Sequence, residues 1–286
     1  MDSTRGRFSL AILLALTNWL VAATYAQDAA LKAEDLVAKH LDAIGPVATR
    51  SGMKSRVVQG AATYRVVVGG GGSEEGKVGL VSEAHKLRLV LRFPGNYRGE
   101  NVLFNGEVAQ VAFSNADQSR SPLASFLATQ DVIVRDGLLG GALTTAWSLQ
   151  DLTDRGAKLV YEGLKKVDGH PLHQLRYEPR KHSEVQVFLY FEPETLRHVK
   201  TVYSISIANN VGATILESAH LREERSELVE RFSDFTTVDG LTLPTHWNLQ
   251  FTRELPDGST TVTEVDAKGL DIKNNVGLDP RNFAAK

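Results

Sequence analysis

Apolar positions keep one period at the start of the chain and another for most of its length. In LKAEDLVAKHLDAIGP, residues 31–46, Leu36, Val37, Leu41 and Ile44 recur at helical spacing before Gly45-Pro46. That spacing predicts an amphipathic helix with a stop at the glycine. From there the period falls to two. KLRLVLRF sets Leu87, Leu89, Leu91 and Phe93 against Lys86, Arg88 and Arg92, and LTLPTHWNLQF sets Leu241, Leu243, Trp247, Leu249 and Phe251 against Thr242, His246, Asn248 and Gln250. Alternation of this kind belongs to sheet with one buried and one wet face.

Turn signals punctuate these runs at short intervals: Asn105-Gly106, Asp168-Gly169, Glu192-Pro193-Glu194, Asn209-Asn210-Val211-Gly212, Asp239-Gly240 and Asp257-Gly258. So many tight turns imply an antiparallel meander. The apolar runs between them give about ten strands, near 56–68, 77–93, 100–104, 107–113, 158–166, 171–177, 184–191, 197–207, 213–233 and 241–253, with an eleventh at 260–269. An open sheet of that width has to curl or close. The fold class is therefore mainly β with a few helices, a wide antiparallel sheet of ten or eleven strands that is either curved or closed.

One stretch breaks the meander. Residues 121–150, SPLASFLATQDVIVRDGLLGGALTTAWSLQ, carry only three charges, Asp131, Arg135 and Asp136. Ser121 is placed as an N-cap with Pro122 at the first helical position, and Leu123, Phe126 and Leu127 share a face. A second short helix is expected after Asp136-Gly137, with Leu139, Leu143, Ala146 and Trp147 on one stripe. Fourteen uncharged residues are too few to span a bilayer, so this apolar insertion must cover something.

The first 26 residues read as a secretory signal. Arg5 and Arg7 precede an apolar run from Phe8 that Thr17 and Asn18 interrupt, and small residues lead to Ala26. Cleavage after Ala26 would leave residues 27–286 exported, a length that fits one large β domain as readily as two small ones, with nothing to force a split. The sequence has no cysteine, which removes disulfides, thiolate chemistry and an acylated lipobox, so the mature chain is expected without a lipid anchor. A formal charge of −2, with Lys and Arg dispersed, gives no footing for a nucleic-acid partner.

Candidate chemistry is thin. GGSEEGKV, residues 71–78, fits a phosphate loop up to its last position, where Val78 stands in place of the hydroxyl and strand follows in place of helix; no nucleotide is expected. His170 and His173 sit at a strand start, where their spacing points them to opposite faces, and His182 lies apart, so no metal is expected. SGMK, residues 51–54, lacks the companion motifs of its enzyme class. The charges of REERSELVE, residues 222–230, read as a solvated face. No catalytic residue and no cofactor is assigned.

The order of signal, opening helix, strands, apolar insertion and long antiparallel strands resembles the LolA/LolB-like superfamily of periplasmic, outer-membrane lipoprotein-sorting carriers. The wording is similar in residues 159–204, in FSDFTTVDGLTLPTHWNLQF and in the tail NNVGLDPRNFAAK; elsewhere only the pattern is shared. The resemblance implies an unclosed barrel around an apolar cavity with a helical lid, here residues 121–150. It implies a non-enzymatic carrier of lipid or lipidated protein, expected as a monomer, with lid residues Leu123, Phe126, Leu127, Leu139, Leu143 and Trp147 over cavity residues Leu87, Leu89, Leu91, Phe104, Trp247 and Phe251. Some carriers hold the lid with an arginine on an early strand, at about Ser82-Glu83 in this chain, where there is none. Relatives that act as sensors imply the alternative, an interaction module that binds an envelope membrane protein.

The signal reading is checked by N-terminal sequencing of exported protein. The mature chain should begin near Gln27 and leave the membrane fraction in a carbonate wash.

Overall fold

The computed structural model describes residues 31–112, 120–181, 183–207 and 223–284. The signal-peptide reading, the Asn209 to Gly212 turn, His182 and the last two residues of the tail lie outside them. Two helices open the described chain, α1 (Ala33–Ile44) and α2 (Val47–Ser51). Glu34 and Asp35 in the first turn of α1 suit its positive end. Gly45 ends it because a side chain there would meet the Gly240 carbonyl and the Leu241 side chain, both at 2.9 Å. Leu36, Val37 and Ile44 are buried, as is His40 on the same stripe.

Twelve strands follow in one antiparallel sheet: β1 (Ser55–Val68), β2 (Ser73–Glu83), β3 (Lys86–Arg92), β4 (Asn101–Phe104), β5 (Ala109–Ala112), β6 (Lys158–Val167), β7 (His170–Glu178), β8 (Gln186–Phe191), β9 (His198–Ile207), β10 (Glu224–Val238), β11 (Leu241–Glu254) and β12 (Thr260–Asn274). Their order is β5-β4-β3-β2-β1-β12-β11-β10-β9-β8-β7-β6, so the chain runs out to one edge, crosses over, and returns along the other half. The two edges β5 and β6 do not pair, and the sheet is open rather than a closed barrel.

The turns form where the sequence marks them, for a steric reason. Asp168-Gly169 and Asp239-Gly240 both have positive φ at each central residue, the geometry that matches strand twist and that Asp-Gly tolerates. One expected strand is two. The run at 77–93 breaks at Ala84 and His85 into β2 and β3, with Ala84 at φ 50° and no turn residue to announce it. Distant groups hold this turn: the Ala84 amide donates to the Lys54 carbonyl at 3.1 Å, and Thr145 Oγ1 donates to the Ala84 carbonyl at 3.1 Å.

Between β5 and β6 the chain crosses the inner face of the sheet through α3 (Pro122–Thr129), α4 (Val132–Arg135), 3-10 turns at Gly141–Leu143 and Ser148–Gln150, and α5 (Leu152–Arg155). Ser121 caps α3 as read from sequence, its Oγ accepting from the Ala124 amide at 2.9 Å. The helix expected after Gly137 is absent. Gly137, Gly140 and Gly141 have positive φ, which suits turns and not a helix, and residues 137–150 form an irregular plug. No helix among the described residues is long and apolar enough to cross a membrane.

Parity along β11 is testable. Leu249 is buried on the inner face, while Gln250 faces outward beside Arg231. Leu249→Asp should cost about 4 kcal/mol or more by burying an unpaired charge, and Gln250→Asp less than about 1 kcal/mol, as read from urea unfolding midpoints.

Candidate functional site

All twelve residues assigned to lid or cavity belong to one buried cluster. Leu87, Leu89, Leu91 and Phe104 come from β3 and β4, Trp247 and Phe251 from β11, Leu123, Phe126 and Leu127 from α3, and Leu139, Leu143 and Trp147 from the plug. Plug and inner face therefore touch directly. Leu139, Leu143 and Trp147 are each 0 % exposed.

An irregular segment buried on a sheet has backbone groups that no ladder satisfies, and each left unpaired would be costly. Side chains of the surrounding elements supply the partners. Glu230 Oε1 accepts from the Gly140 amide at 2.8 Å. Arg56 Nη1 donates to the Ala142 carbonyl at 2.5 Å, and its Nε donates to Asn274 at 2.7 Å. Ser82 Oγ accepts from the Thr145 amide at 2.9 Å, and Arg155 Nη2 donates to the Ala146 carbonyl at 2.7 Å. Ser148 Oγ donates to Tyr177 Oη at 2.9 Å.

Arg56 corrects an expectation. An arginine on an early strand does bond the plug, one strand away from the place where it was sought, since Arg56 on β1 pairs in register with Ser82 on β2. Its burial pulls the guanidinium down to about 10, still charged at neutral pH. Glu230 corrects another, because REERSELVE is not solvated throughout: Glu230 is fully buried. Both residues could be found by parity, for Arg56 shares the inward register of Val58, and Glu230 that of Leu228 and Phe232.

Trp147 is the centre of a ring cluster. It stacks on His198 at 4.9 Å between centroids, and its Nε1 donates to His40 Nε2 at 3.3 Å. Burial lowers His40 to about 4 and His198 well below its ordinary range, so both imidazoles are neutral and can accept or stack without a buried charge.

The inner face opens at one end. There a groove of about 300 Å³ lies between α3 and the ends of β9, β10 and β11, with Pro122, Phe126, Ile205, Ile207 and Phe251 as apolar walls and Arg120, Glu224 and Arg253 at its margin. Phe126 and Phe251 meet at 5.4 Å between ring centroids, and Ile207 is 48 % exposed. Of the twelve assigned residues, Phe126 and Phe251 line this groove; the others pack elsewhere under α3 and the plug. Ile205 and Ile207 fall inside the strand expected at 197–207, but nothing in their spacing says that α3 comes to lie beside that end of β9.

The opposite face carries a larger groove of about 1070 Å³, where Val167, Pro171, Leu172 and Val199 stand among charged and polar side chains. Its floor is a cross-strand ladder of side chains. Ser233 Oγ and His246 Nδ1 are 2.9 Å apart, His246 Nε2 and Asp266 Oδ1 2.6 Å, and Arg231 Nη1 donates to Gln250 at 3.2 Å. Against the upward push of its partial burial, hydrogen bonds from His246, Lys268 and Asn248 hold Asp266 below the usual carboxylate range. His170 is exposed on this side while His173 is buried, so the pair is split between faces. Among the described residues no group of three or more His, Asp or Glu is placed to hold a metal ion.

No family model matches the chain, and no curated protein matches it. Among solved structures it is similar to a LolA superfamily protein from Nitrosomonas europaea, with 16% identity and a TM-score of 0.48 over 90% of this chain and 99% of that one. It is also similar to an outer membrane lipoprotein-sorting protein domain from Vibrio parahaemolyticus, at 10% identity and TM-score 0.43 over 86% and 95% of the two chains. A third is the Pseudomonas aeruginosa MucA/MucB complex, at 12% identity and TM-score 0.23 over 85% and 99%. The superfamily that the sequence resembles is thus among the structural neighbours, at identities that carry no residue roles across.

The bond from Arg56 to the plug should matter more than surface pairing. Arg56→Met should cost about 2–4 kcal/mol by stripping the Ala142 carbonyl of its partner. Arg65→Met, which breaks the half-exposed pair with Glu264, should cost no more than about 1 kcal/mol. Urea unfolding of both variants checks the difference.

Proposed function

We propose that the protein is a non-catalytic periplasmic binding protein of carrier type, which takes an acyl chain of a lipid or lipidated protein into the groove between α3 and the ends of β9 to β11. The observation that carries this reading is the apolar wall left open there: Phe126 and Phe251 reach the rim from inside, and Ile207 stands half in water. Burying each methylene of a chain against such a wall yields about 0.8 kcal/mol, so six of them supply roughly 5 kcal/mol before the cost of ordering the chain. Binding then needs no chemistry. The polar head would remain at the margin, among Arg120, Glu224 and Arg253.

A second reading is an interaction module that binds an envelope protein. It is favoured by the close packing of plug on sheet, where Leu139, Leu143 and Trp147 leave no exposed surface of their own. A filled inner face contributes stability and leaves recognition to the rim.

A fluorescent fatty acid titrated into the purified protein separates the two. Under the carrier reading it binds, and Ile207→Asp, which sets a charge on the half-exposed wall of the groove, weakens binding at least tenfold while the melting temperature moves by only a few degrees. Leu139→Ser should instead lower the melting temperature steeply by opening a cavity in the plug. Absence of uptake by the wild-type protein would leave the interaction module.

A further inference from the structure

Three of the groups that tie the plug keep one charge state through the neutral range: Arg56, Ser82 and Arg155. Glu230 is different. It stands on the inner face of β10 and is fully buried, yet the groups that meet its carboxyl are all neutral donors. Oε1 accepts from the Gly140 amide at 2.8 Å and from Trp247 Nε1 at 2.9 Å, and Oε2 from Tyr203 Oη at 2.7 Å. No cation is among them. A buried carboxylate without a cation is costly, whereas a protonated one keeps the same contacts, with its own O–H turned to the tyrosine oxygen.

The segment pinned by this group turns through glycines. Gly137, Gly140 and Gly141 all have positive φ. Side chains at Gly140 and Gly141 would come within 3.1 Å of Leu80 and of the His198 ring, respectively, so the turn lies flat on the sheet. Further along, Ser82 holds Thr145 and Arg155 holds Ala146 independently of Glu230.

We propose that Glu230 is the pin of a local gate: protonated, it keeps the turn around Gly140 closed on the sheet, and ionised, it releases that turn and bares the apolar face around Leu80 and Phe232 to an apolar ligand. The rest of the plug stays tied. Burial raises the carboxyl to about 7, against the bonds from Tyr203, Gly140 and Trp247 that favour its ionised form. A group raised in the closed state contributes fully below its open-state value near 4.5 and loses that contribution as pH climbs through about 7.

The other ionisable groups around it do not act in that window. His198 on β9 beside Gly141 and His40 on α1 beyond Trp147 are lowered by burial, so their contribution is present above about 6.5 and fades on the acid side. Tyr203 on β9 and Tyr177 on β7 are raised. Arg56 on β1, tied to Ala142, keeps its charge. The neutral-to-alkaline range therefore belongs to Glu230.

Hydrogen exchange on the whole protein tests the gate without any ligand, so its outcome is separate from that of the carrier reading. Between pH 6 and 8.5, with times scaled for intrinsic exchange, protection of the amides of Leu138 to Gly141, ahead of the Ala142 that Arg56 holds, should fall about tenfold, while those of 145–150 and β11 hold theirs. Glu230→Gln should abolish the pH dependence. Trp247→Phe, which removes a group that can only donate to the carboxyl, should move the midpoint to higher pH. A flat wild-type profile, or the same fall in Glu230→Gln, overturns the proposal. Should Glu230→Gln fail to fold, an unmoved midpoint in Trp247→Phe overturns it.

Discussion

An open sheet with one apolar face cannot leave that face in water, and the segment that covers it must bring its own backbone into a dry place. In this chain the cover is irregular, so its amides and carbonyls have no ladder to join. Arg56, Ser82 and Glu230 answer that demand from the inner face, with Arg155 alongside. The order of strands, the placing of the plug and the closeness of its leucines to the sheet all follow from meeting both needs at once. Apolar burial provides the driving force, while the polar tethers fix which turn of the plug lies over which strand.

The same arrangement divides the molecule's surfaces by what they can bind. Under the plug, Trp147 fills the space between His40 and His198 with rings and leaves no room for another chain. At the open end, α3 meets the sheet through Phe126 and Phe251, and the apolar wall runs on to Ile207 in water. On the far face Arg231, His246 and Asp266 are engaged with one another's neighbours across strands, a surface suited to polar contact.

Much of the fold could be read because its signals are local. The helix at α1 follows from the spacing of Leu36, Val37 and Ile44, and the Asp-Gly turns follow from the backbone those residues tolerate. The Ala84 turn could not be read, since its support comes from Lys54 and Thr145, far along the chain. The helix expected after Gly137 failed for a related reason: Leu139, Leu143 and Trp147 have helical spacing, but contact with Leu80, His198 and Phe232 leaves space only for glycine turns. Spacing records which residues are apolar. It does not record how closely another surface approaches.

Alternation and turn residues were enough, by themselves, to determine a wide antiparallel sheet, its buried face through Leu87, Leu249 and Phe251, and an apolar insertion that has to lie across it. Each of those features depends on neighbours within a few residues. Tertiary structure alone decided that the sheet stays open between β5 and β6, that Arg56 and not a residue at Ser82 or Glu83 reaches the plug, and that Glu230 is buried beneath Gly140. These are meetings between positions about ninety residues apart or more. Hydrophobic burial is non-directional and tells a sequence which face turns inward, whereas a hydrogen bond to one chosen carbonyl or amide exists only once the chain has brought both ends to the same place.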